Sequence, residues 1–256
     1  MRLLTISRCF SLLTCGVAVV LTASAGYGET ATLKGKFVLD GAAPKPEAIP
    51  PTKDVEVCGK HKLERETLVV GADGGIQNVL IWAPKVKASA EAKGAGPAVM
   101  DNKDCRFQPH VLAMQAGQVL ELKNSDPVGH NTEGHPRNNP EFNILIPASG
   151  KIEIKDLKKA ETRPFEVKCA IHPWMKGYVL VTNSPAAVSN ADGSFEVKGL
   201  PAGAQVEFQV WQERGGFVKD VTVDGKKTTW GFGRFKMTLK PGENDLGTIK
   251  AKIGGG

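Results

Sequence analysis

One short stretch decides how this chain is interpreted: Cys169-Ala-Ile-His172-Pro-Trp-Met175-Lys-Gly. It places a thiol, an imidazole and a thioether within seven residues. An alternating segment, 164–169, precedes it, and an apolar run, 176–182, follows it. The pattern therefore predicts two β-strands joined by a tight loop. A soft thiolate, a borderline nitrogen donor and a weak sulfur donor together suit copper better than other biological metals.

A trigonal copper site needs a second imidazole from elsewhere in the chain. We assign it to His130, which is followed by Asn131 and comes out of the turn Asn124-Ser-Asp-Pro127 near the end of a predicted strand. His135, five residues further on in a loop rich in Gly, Pro and Asn, is an alternative ligand. A set of two histidines, one cysteine and an axial methionine leaves no open coordination position. Such a site moves electrons rather than activating a substrate.

The composition indicates a β-rich globular chain. Of 256 residues, 41% are hydrophobic and 23% charged, as in ordinary soluble domains, while 29 glycines and 16 prolines favour many turns. Apolar and polar residues alternate at 119–123, 151–155 and 194–198. This period of two predicts strands with one face on a core and one face in water. The predicted fold class is all-β.

The first 25 residues have the features of a cleaved secretory signal. Arg2 and Arg8 precede an apolar run, 10–21, and Ala23-Ser-Ala25 offers a cleavage site. We expect a cut after Ala25, a periplasmic or otherwise exported protein, and no membrane span in the mature chain; an uncleaved anchor is the alternative. Removing this segment leaves 31 basic and 27 acidic residues without a dense basic run. The charge does not favour nucleic-acid binding.

Removal of the signal leaves three cysteines: Cys58, Cys105 and Cys169. Thiols tend to pair in exported proteins, and three cannot all pair within one chain. Since Cys169 already lies among metal donors, the sequence favours a Cys58–Cys105 disulfide. A second metal site formed by these two cysteines with His61 and His110 is the alternative.

The Cys169 loop, together with the upstream Pro127-Val-Gly-His130-Asn131, resembles the blue copper proteins (cupredoxins), in particular the amicyanin and pseudoazurin branch. The short C-x-x-H-x-x-M loop, with proline after the histidine and an aromatic residue before the methionine, is similar to that of amicyanin. The resemblance covers residues 101–182. It implies a Greek-key sandwich with one type 1 copper ion, acting as a one-electron carrier between redox proteins and not as an enzyme.

The resemblance also implies residue roles. The copper ligands would be His130, Cys169, His172 and Met175. Asn131 would tether the two ligand loops and donate a backbone N–H to the thiolate. His172 would be the exit for electrons at the surface, and Pro173 and Trp174 would belong to the surrounding docking patch.

A second, smaller β-sandwich is predicted after residue 183. Its segment 192–203, Asp-Gly-Ser-Phe-Glu-Val-Lys-Gly-Leu-Pro-Ala-Gly, resembles the carboxypeptidase regulatory-like (transthyretin-related) sandwich, whose members are mostly structural or binding modules. A protein or a polysaccharide is the expected partner there. The predicted division is a signal at 1–25, a strand and proline-rich connector at 26–66, a cupredoxin domain at 67–183, and the second sandwich at 184–256. Because about 70 residues make a small core, we expect the early strand, 32–40, to complete this second sandwich.

Two other functions compete with electron transfer. The same fold can hold copper for storage or delivery, or serve as a scaffold without redox chemistry. Catalysis is the weakest hypothesis, since the sequence has no Cys-x-x-Cys-His, Gly-x-Ser-x-Gly or His-Glu-x-x-His motif.

Overall fold

A computed structural model describes residues 30–88 and 96–254. The part of the chain that it describes contains nineteen strands and a single α-helix of four residues. The predicted all-β fold class is therefore confirmed. The predicted signal at 1–25 lies outside the described residues. None of the described helices is long and apolar enough to cross a membrane.

In chain order, the elements are β1 (Thr30–Leu39), α1 (Val55–Cys58), β2 (Leu80–Trp82), β3 (Ala98–Lys103), β4 (Arg106–Gln108), β5 (Val111–Gln115), β6 (Leu120–Asn124), β7 (His130–Gly134), β8 (Phe142–Ile146), β9 (Lys151–Ile154), β10 (Phe165–Lys168), β11 (Lys176–Thr182), β12 (Ala186–Val188), β13 (Ser194–Pro201), β14 (Gln205–Gln212), β15 (Gly216–Phe217), β16 (Asp220–Val223), β17 (Lys226–Thr229), β18 (Arg234–Thr238) and β19 (Gly242–Ala251). A short 3-10 turn, Gly231–Gly233, precedes β18.

The first sandwich consists of β3 to β11. Its two sheets have the strand orders β5-β11-β10-β7-β8 and β4-β3-β6-β9. The alternation seen in the sequence sets which side chains face inward: Leu120 and Leu122 on β6 are fully buried, whereas Lys123 is exposed. Apolar side chains from both sheets form one core between them.

Strand pairing brings the two predicted ligand loops to one end of this sandwich. β10 is antiparallel to both β7 and β11, with Lys168 opposite Glu133 and Lys176. The start of β7, at His130, therefore lies beside the end of β10, which Cys169 follows directly. The 169–175 loop and the turn before His130 meet at this end of the sandwich.

The second sandwich consists of β1, β2 and β12 to β19. One sheet has the order β13-β1-β19-β16-β17, and the other has the order β12-β2-β14-β15 with β18 also paired to β14. β1 is antiparallel to β13 and parallel to β19, and its Leu33 and Phe37 are fully buried in the core of this sandwich. β1 therefore lies between β13 and β19, in a sheet whose other strands all come from the C-terminal part of the chain.

The strand pairing differs from the division predicted at residue 67. The strand β2 falls within the predicted cupredoxin domain, but it pairs with β12 and β14 of the second sandwich. All three residues of β2 are buried. An apolar run of this kind fits a central strand of either sandwich, so the sequence pattern alone did not show that β2 belongs to the second sandwich. The first sandwich is therefore inserted between β2 and β12 of the second.

The two sandwiches pack against each other through a separate apolar cluster. Its buried members are Leu80, Trp82, Val111, Leu180 and Trp211. The first two belong to β2, the next two to β5 and β11, and the last to β14. The inserted sandwich is thus fixed by packing as well as by its two chain connections.

We expect Leu33→Ala to test the contribution of the early strand. Leu33 is fully buried between the sheets, and truncation of such a side chain costs about 2–5 kcal/mol of unfolding free energy. The neighbouring Lys34→Ala is a matched control, because Lys34 lies on the outer face and pairs with Glu196 and Glu243 at the surface. Urea denaturation followed by tryptophan fluorescence should show a large loss for the first variant and little change for the second. Equal losses would contradict the placement of β1.

Candidate metal centre

His130, Cys169 and His172 meet at the end of the first sandwich. Each contributes one ligand atom to a group in which all these atoms lie within 4.8 Å of one another. Both histidines are fully buried and Cys169 is 1% exposed. The centroids of the two imidazole rings are 4.5 Å apart. Three of the four predicted ligands are therefore gathered in one place.

The fourth predicted ligand, Met175, is buried in the same apolar core as Cys169. The loop folds back on itself through its backbone: the Met175 N–H donates to the His172 carbonyl at 2.9 Å, and the Cys169 N–H donates to the Met175 carbonyl at 3.2 Å. The His172 N–H points at the Cys169 sulfur, 3.3 Å away. This tight turn brings the backbone of Met175 back to that of Cys169 and His172.

Asn131 connects the segment that carries His130 to the loop that carries Cys169. Its Oδ1 accepts hydrogen bonds from the N–H groups of Ala170 at 2.7 Å and Ile171 at 3.2 Å. Its Nδ2 donates to Asn143 Oδ1 at 2.8 Å, which fixes the orientation of the amide. The side chain itself is almost wholly buried. A single amide therefore connects β7 and β8 to the loop that carries Cys169.

The turn before His130 is shaped by another buried amide. Asn124 Nδ2 donates to the carbonyls of Val128, Ile146 and Pro147, at 2.8, 3.1 and 3.0 Å. These bonds tie the turn to the end of β8. The start of β7 is thereby held in place before any metal binds.

Each histidine is oriented by a carboxylate. His130 Nε2–H donates to Asp126 Oδ2 at 2.9 Å, and His172 Nε2–H donates to Asp54 Oδ2 at 2.8 Å. This fixes the tautomer of each ring and leaves Nδ1 as the atom that can bind a metal. His172 Nδ1 lies 3.7 Å from the Cys169 sulfur. His130 Nδ1 is buried and has no hydrogen-bond partner among the described residues.

His130 differs from the other residues with a buried atom that lacks a hydrogen bond, such as His110, because it belongs with Cys169 and His172 to a group whose ligand atoms lie within 4.8 Å of one another. A buried ring nitrogen without a partner lowers stability, and proteins rarely leave one in place. A metal ion between His130, Cys169 and His172 would satisfy it. The donor set, one thiolate and two imidazoles with a thioether nearby in the loop, fits copper.

The thiol of Cys169 is already poised for metal binding. Burial would raise its pKa, but favourable interactions with His130 and His172, and with the backbone N–H groups of Asn131 and His172, outweigh burial and lower the pKa from 9.0 to about 6. For His130, burial lowers the pKa, whereas Asp126 and the Cys169 sulfur raise it to about 9. The sulfur lies close enough to act on the charge of this ring without forming a well-directed hydrogen bond. The lowered pKa of Cys169 favours the thiolate, the form that binds soft metals.

Sequence reasoning missed both carboxylates. Asp126 lies in the turn four residues before His130, and that short spacing could have suggested it. Asp54 is 118 residues from His172 in sequence, and no local pattern points to the contact.

The expected electron exit is not at the surface. His172 is fully buried, because Asp54 and the segment that carries it cover the Nε2 edge of the ring. Trp174 is half-buried, lies 5.1 Å from the His172 ring between centroids, and donates from Nε1 to the Cys105 carbonyl at 3.1 Å. Of the three residues predicted for the exit patch, only Pro173 is exposed.

The structure contains the Cys58–Cys105 disulfide, with both cysteines fully buried. This excludes the alternative metal site formed by these two cysteines with His61 and His110. His110 instead pairs with Glu213, at 2.6 Å between Nε2 and Oε2. His135, the alternative copper ligand, is half-exposed, pairs with Glu133 and is not brought to the metal cluster.

Comparison with known proteins gives partial likenesses only. No family model matches the chain, and no curated protein matches it. Among solved structures, a copper-containing nitrite reductase from Thermus scotoductus SA-01 is 23% identical over 33% of this chain and 22% of its own length, with a TM-score of 0.30. A purple cupredoxin from Nitrosopumilus maritimus is 22% identical over 33% of this chain and 99% of its own, with a TM-score of 0.28. A copper(I) form of an amicyanin variant is 17% identical over 40% of this chain and 97% of its own, with a TM-score of 0.30.

Asn131→Ala should loosen the site before any metal is added. It leaves the N–H groups of Ala170 and Ile171 without their acceptor, and an unpaired group of this kind costs about 1–3 kcal/mol. Asn143→Ala is the matched control, since it removes a partner of Asn131 but keeps both of these bonds. Urea denaturation of the metal-free variants should separate them. A larger loss for Asn143→Ala would contradict the tether.

The metal-free protein should also titrate as a thiolate. Because the pKa of Cys169 is lowered to about 6, the ultraviolet thiolate absorbance should rise as pH increases through about 6 and be complete at neutral pH. Cys169→Ser should lack this transition. A transition near the ordinary thiol pKa of 9.0 would show that the neighbouring imidazoles and N–H groups do not stabilise the anion.

Proposed function

We propose that this protein is an exported copper protein of the cupredoxin type that carries single electrons between redox proteins. The ligands are His130, Cys169, His172 and Met175, and Asn131 supports them. One observation carries the proposal: two buried imidazoles and a thiolate converge at the end of a β-sandwich, with one imidazole nitrogen left for an ion.

The chain's residues contribute rigidity and a dry environment. When bound, the copper ion supplies a one-electron redox couple. The carboxylates of Asp126 and Asp54 orient the rings, and the amide of Asn131 fixes the loop. The donors lie at the edge of an apolar core that excludes water. Ligands held in this way change position little when the charge of the ion changes, which favours fast electron transfer.

Burial argues against catalysis at this centre. Cys169 is 1% exposed, Met175 is 1% exposed and both ligand histidines are inaccessible, so a substrate cannot reach the ion through the described structure. The nitrite reductase among the similar structures is an enzyme, and it shares only 22% of its length with this chain. We therefore propose an electron carrier and not a reductase.

The disulfide supports an exported setting for this protein. Cys58 and Cys105 are oxidised, which fits an exported protein and the predicted N-terminal signal. The redox partners are proteins in the same compartment. We propose that the second sandwich is a structural or binding module that fixes the first.

One observation favours a second candidate, copper storage or delivery. The covering of His172 by Asp54 closes the side from which the ring was expected to reach a partner. A carrier and a store differ in redox behaviour, because only the carrier must cycle readily between copper(I) and copper(II).

Spectroscopy of the copper-reconstituted protein tests the proposal. We expect an intense visible thiolate-to-copper absorption band, an electron paramagnetic resonance spectrum typical of type 1 copper, and reversible redox cycling. Cys169→Ser should abolish the band, because the thiolate is its source. The double variant Cys58→Ser/Cys105→Ser keeps all four proposed ligands and should therefore keep the band at saturating copper.

Each failure points to a different conclusion. Copper bound without the band or without reversible cycling would favour storage, and no copper uptake would leave only a scaffold. Loss of the band in the double variant, with retention in Cys169→Ser, would show that the wrong thiol had been assigned.

A further inference from the structure

The carboxylate on His172 comes from outside the metal-binding sandwich. Asp54 lies in the connector between β1 and β2, next to α1, and reaches His172 Nε2 at 2.8 Å. Its side chain is 35% exposed, whereas that of His172 is 0% exposed. The partly exposed side chain of Asp54 therefore covers the buried ring of His172 on the side that faces solvent.

The connector holds Asp54 firmly in place. The backbone of Asp54 adopts the left-handed conformation, with φ 47° and ψ 43°, which is uncommon for residues other than glycine. Its carbonyl accepts from the N–H groups of Val57 and Cys58, at 2.9 and 2.8 Å. Cys58 is in turn bonded to Cys105. A strained conformation persists only where its surroundings determine it, and here a turn and a disulfide do so.

Cys105 connects both histidine-orienting carboxylates. Asp126, which orients His130, accepts from the Cys105 N–H at 2.9 Å. Cys105 also accepts from Trp174 Nε1 through its carbonyl and holds Asp54 through the disulfide. The supports of the two rings therefore converge on one residue.

We propose that Asp54 is a positioning residue for the metal ligand His172, and that the Cys58–Cys105 disulfide holds it over the ring as a cap. This inference rests on the proposed copper function. The carboxylate fixes the Nε2–H tautomer, turns Nδ1 toward Cys169 and keeps water from the ring. Its negative charge stabilises the more positive, oxidised state of the bound ion.

Two substitutions separate the charge from the hydrogen bond. Asp54→Asn keeps an acceptor oxygen of the same shape and removes the charge, whereas Asp54→Ala removes both. Glu56→Gln is the matched control: Glu56 is exposed on α1, loses the same charge, and has no hydrogen bond or ion pair among the described residues. We expect copper affinity, measured by chelator competition, to fall about 10- to 100-fold in Asp54→Ala, less in Asp54→Asn, and not in Glu56→Gln.

The reduction potential provides a second measurement. It should rise in both Asp54 variants, because the charge favouring copper(II) is gone, and stay near the wild-type value in Glu56→Gln. Equal potentials and affinities in all three variants would overturn the proposal.

A measurement on the metal-free protein keeps this test independent of copper. Diethyl pyrocarbonate modifies accessible imidazole nitrogens, and mass spectrometry locates the modified residue. His172 should be protected in the wild type and in Glu56→Gln, but modified several-fold faster in Asp54→Ala and in Cys58→Ser/Cys105→Ser; His135, which is half-exposed, is the internal standard.

The outcomes separate the two hypotheses. If the wild type lacks the copper band but His172 becomes reactive in Asp54→Ala, the proposed copper function is wrong, and the proposed covering of His172 by Asp54 is supported. If the band is present and His172 reactivity is the same in all variants, the cap fails while the copper function stands. If Asp54→Ala exposes the ring but the double cysteine variant does not, the disulfide is not what holds the cap.

Discussion

Two imidazoles and a thiol cannot be buried together unless nearly every polar atom among them finds a partner. Desolvating such groups without compensation costs several kcal/mol. Here Asp126 and Asp54 satisfy the Nε2 atoms, and backbone N–H groups surround the sulfur. Within this cluster of two imidazoles and a thiol, His130 Nδ1 is the buried nitrogen left without a hydrogen bond to the described residues. The protein thus supplies most of the partners that these atoms need and leaves one imidazole nitrogen available to an ion.

This constraint explains why remote segments converge on the end of the first sandwich. The loop 169–175 supplies three donors but cannot satisfy them alone. The amide of Asn131 comes from β7, the carboxylate of Asp126 from the preceding turn, and that of Asp54 from the connector that follows β1. The disulfide joins the last two through Cys105. The metal site and the N-terminal connector are therefore one structural unit.

Part of the candidate site was predictable because three of its residues are close in sequence. Cys169, His172 and Met175 follow from spacing in one loop, and strand alternation around Leu120 and Leu122 follows from period-two patterning. Contacts over long sequence separations were predictable only where a motif, a cysteine count or the size of a core pointed to them, as for His130 with Cys169 and Cys58 with Cys105. Asp54 carries no pattern that distinguishes it from other surface acids, and the apolar run of β2 fits either sandwich equally well. The exposure expected of His172 was wrong for the same reason, since the residue that covers it lies 118 positions away.

The insertion of the first sandwich into the second gives the metal centre a fixed setting. Both connections of the inserted unit, at β2 and β12, run into one sheet, and Trp82 and Trp211 pack there against Val111 and Leu180. A partner bound to the second sandwich would therefore meet the first in one orientation, not over the range that a flexible linker allows. Next to the buried His172 ring, the exposed surface consists of Pro173 and the connector that bears Asp54. The closure of the candidate metal site over His172 thus depends on a segment that lies outside the first sandwich.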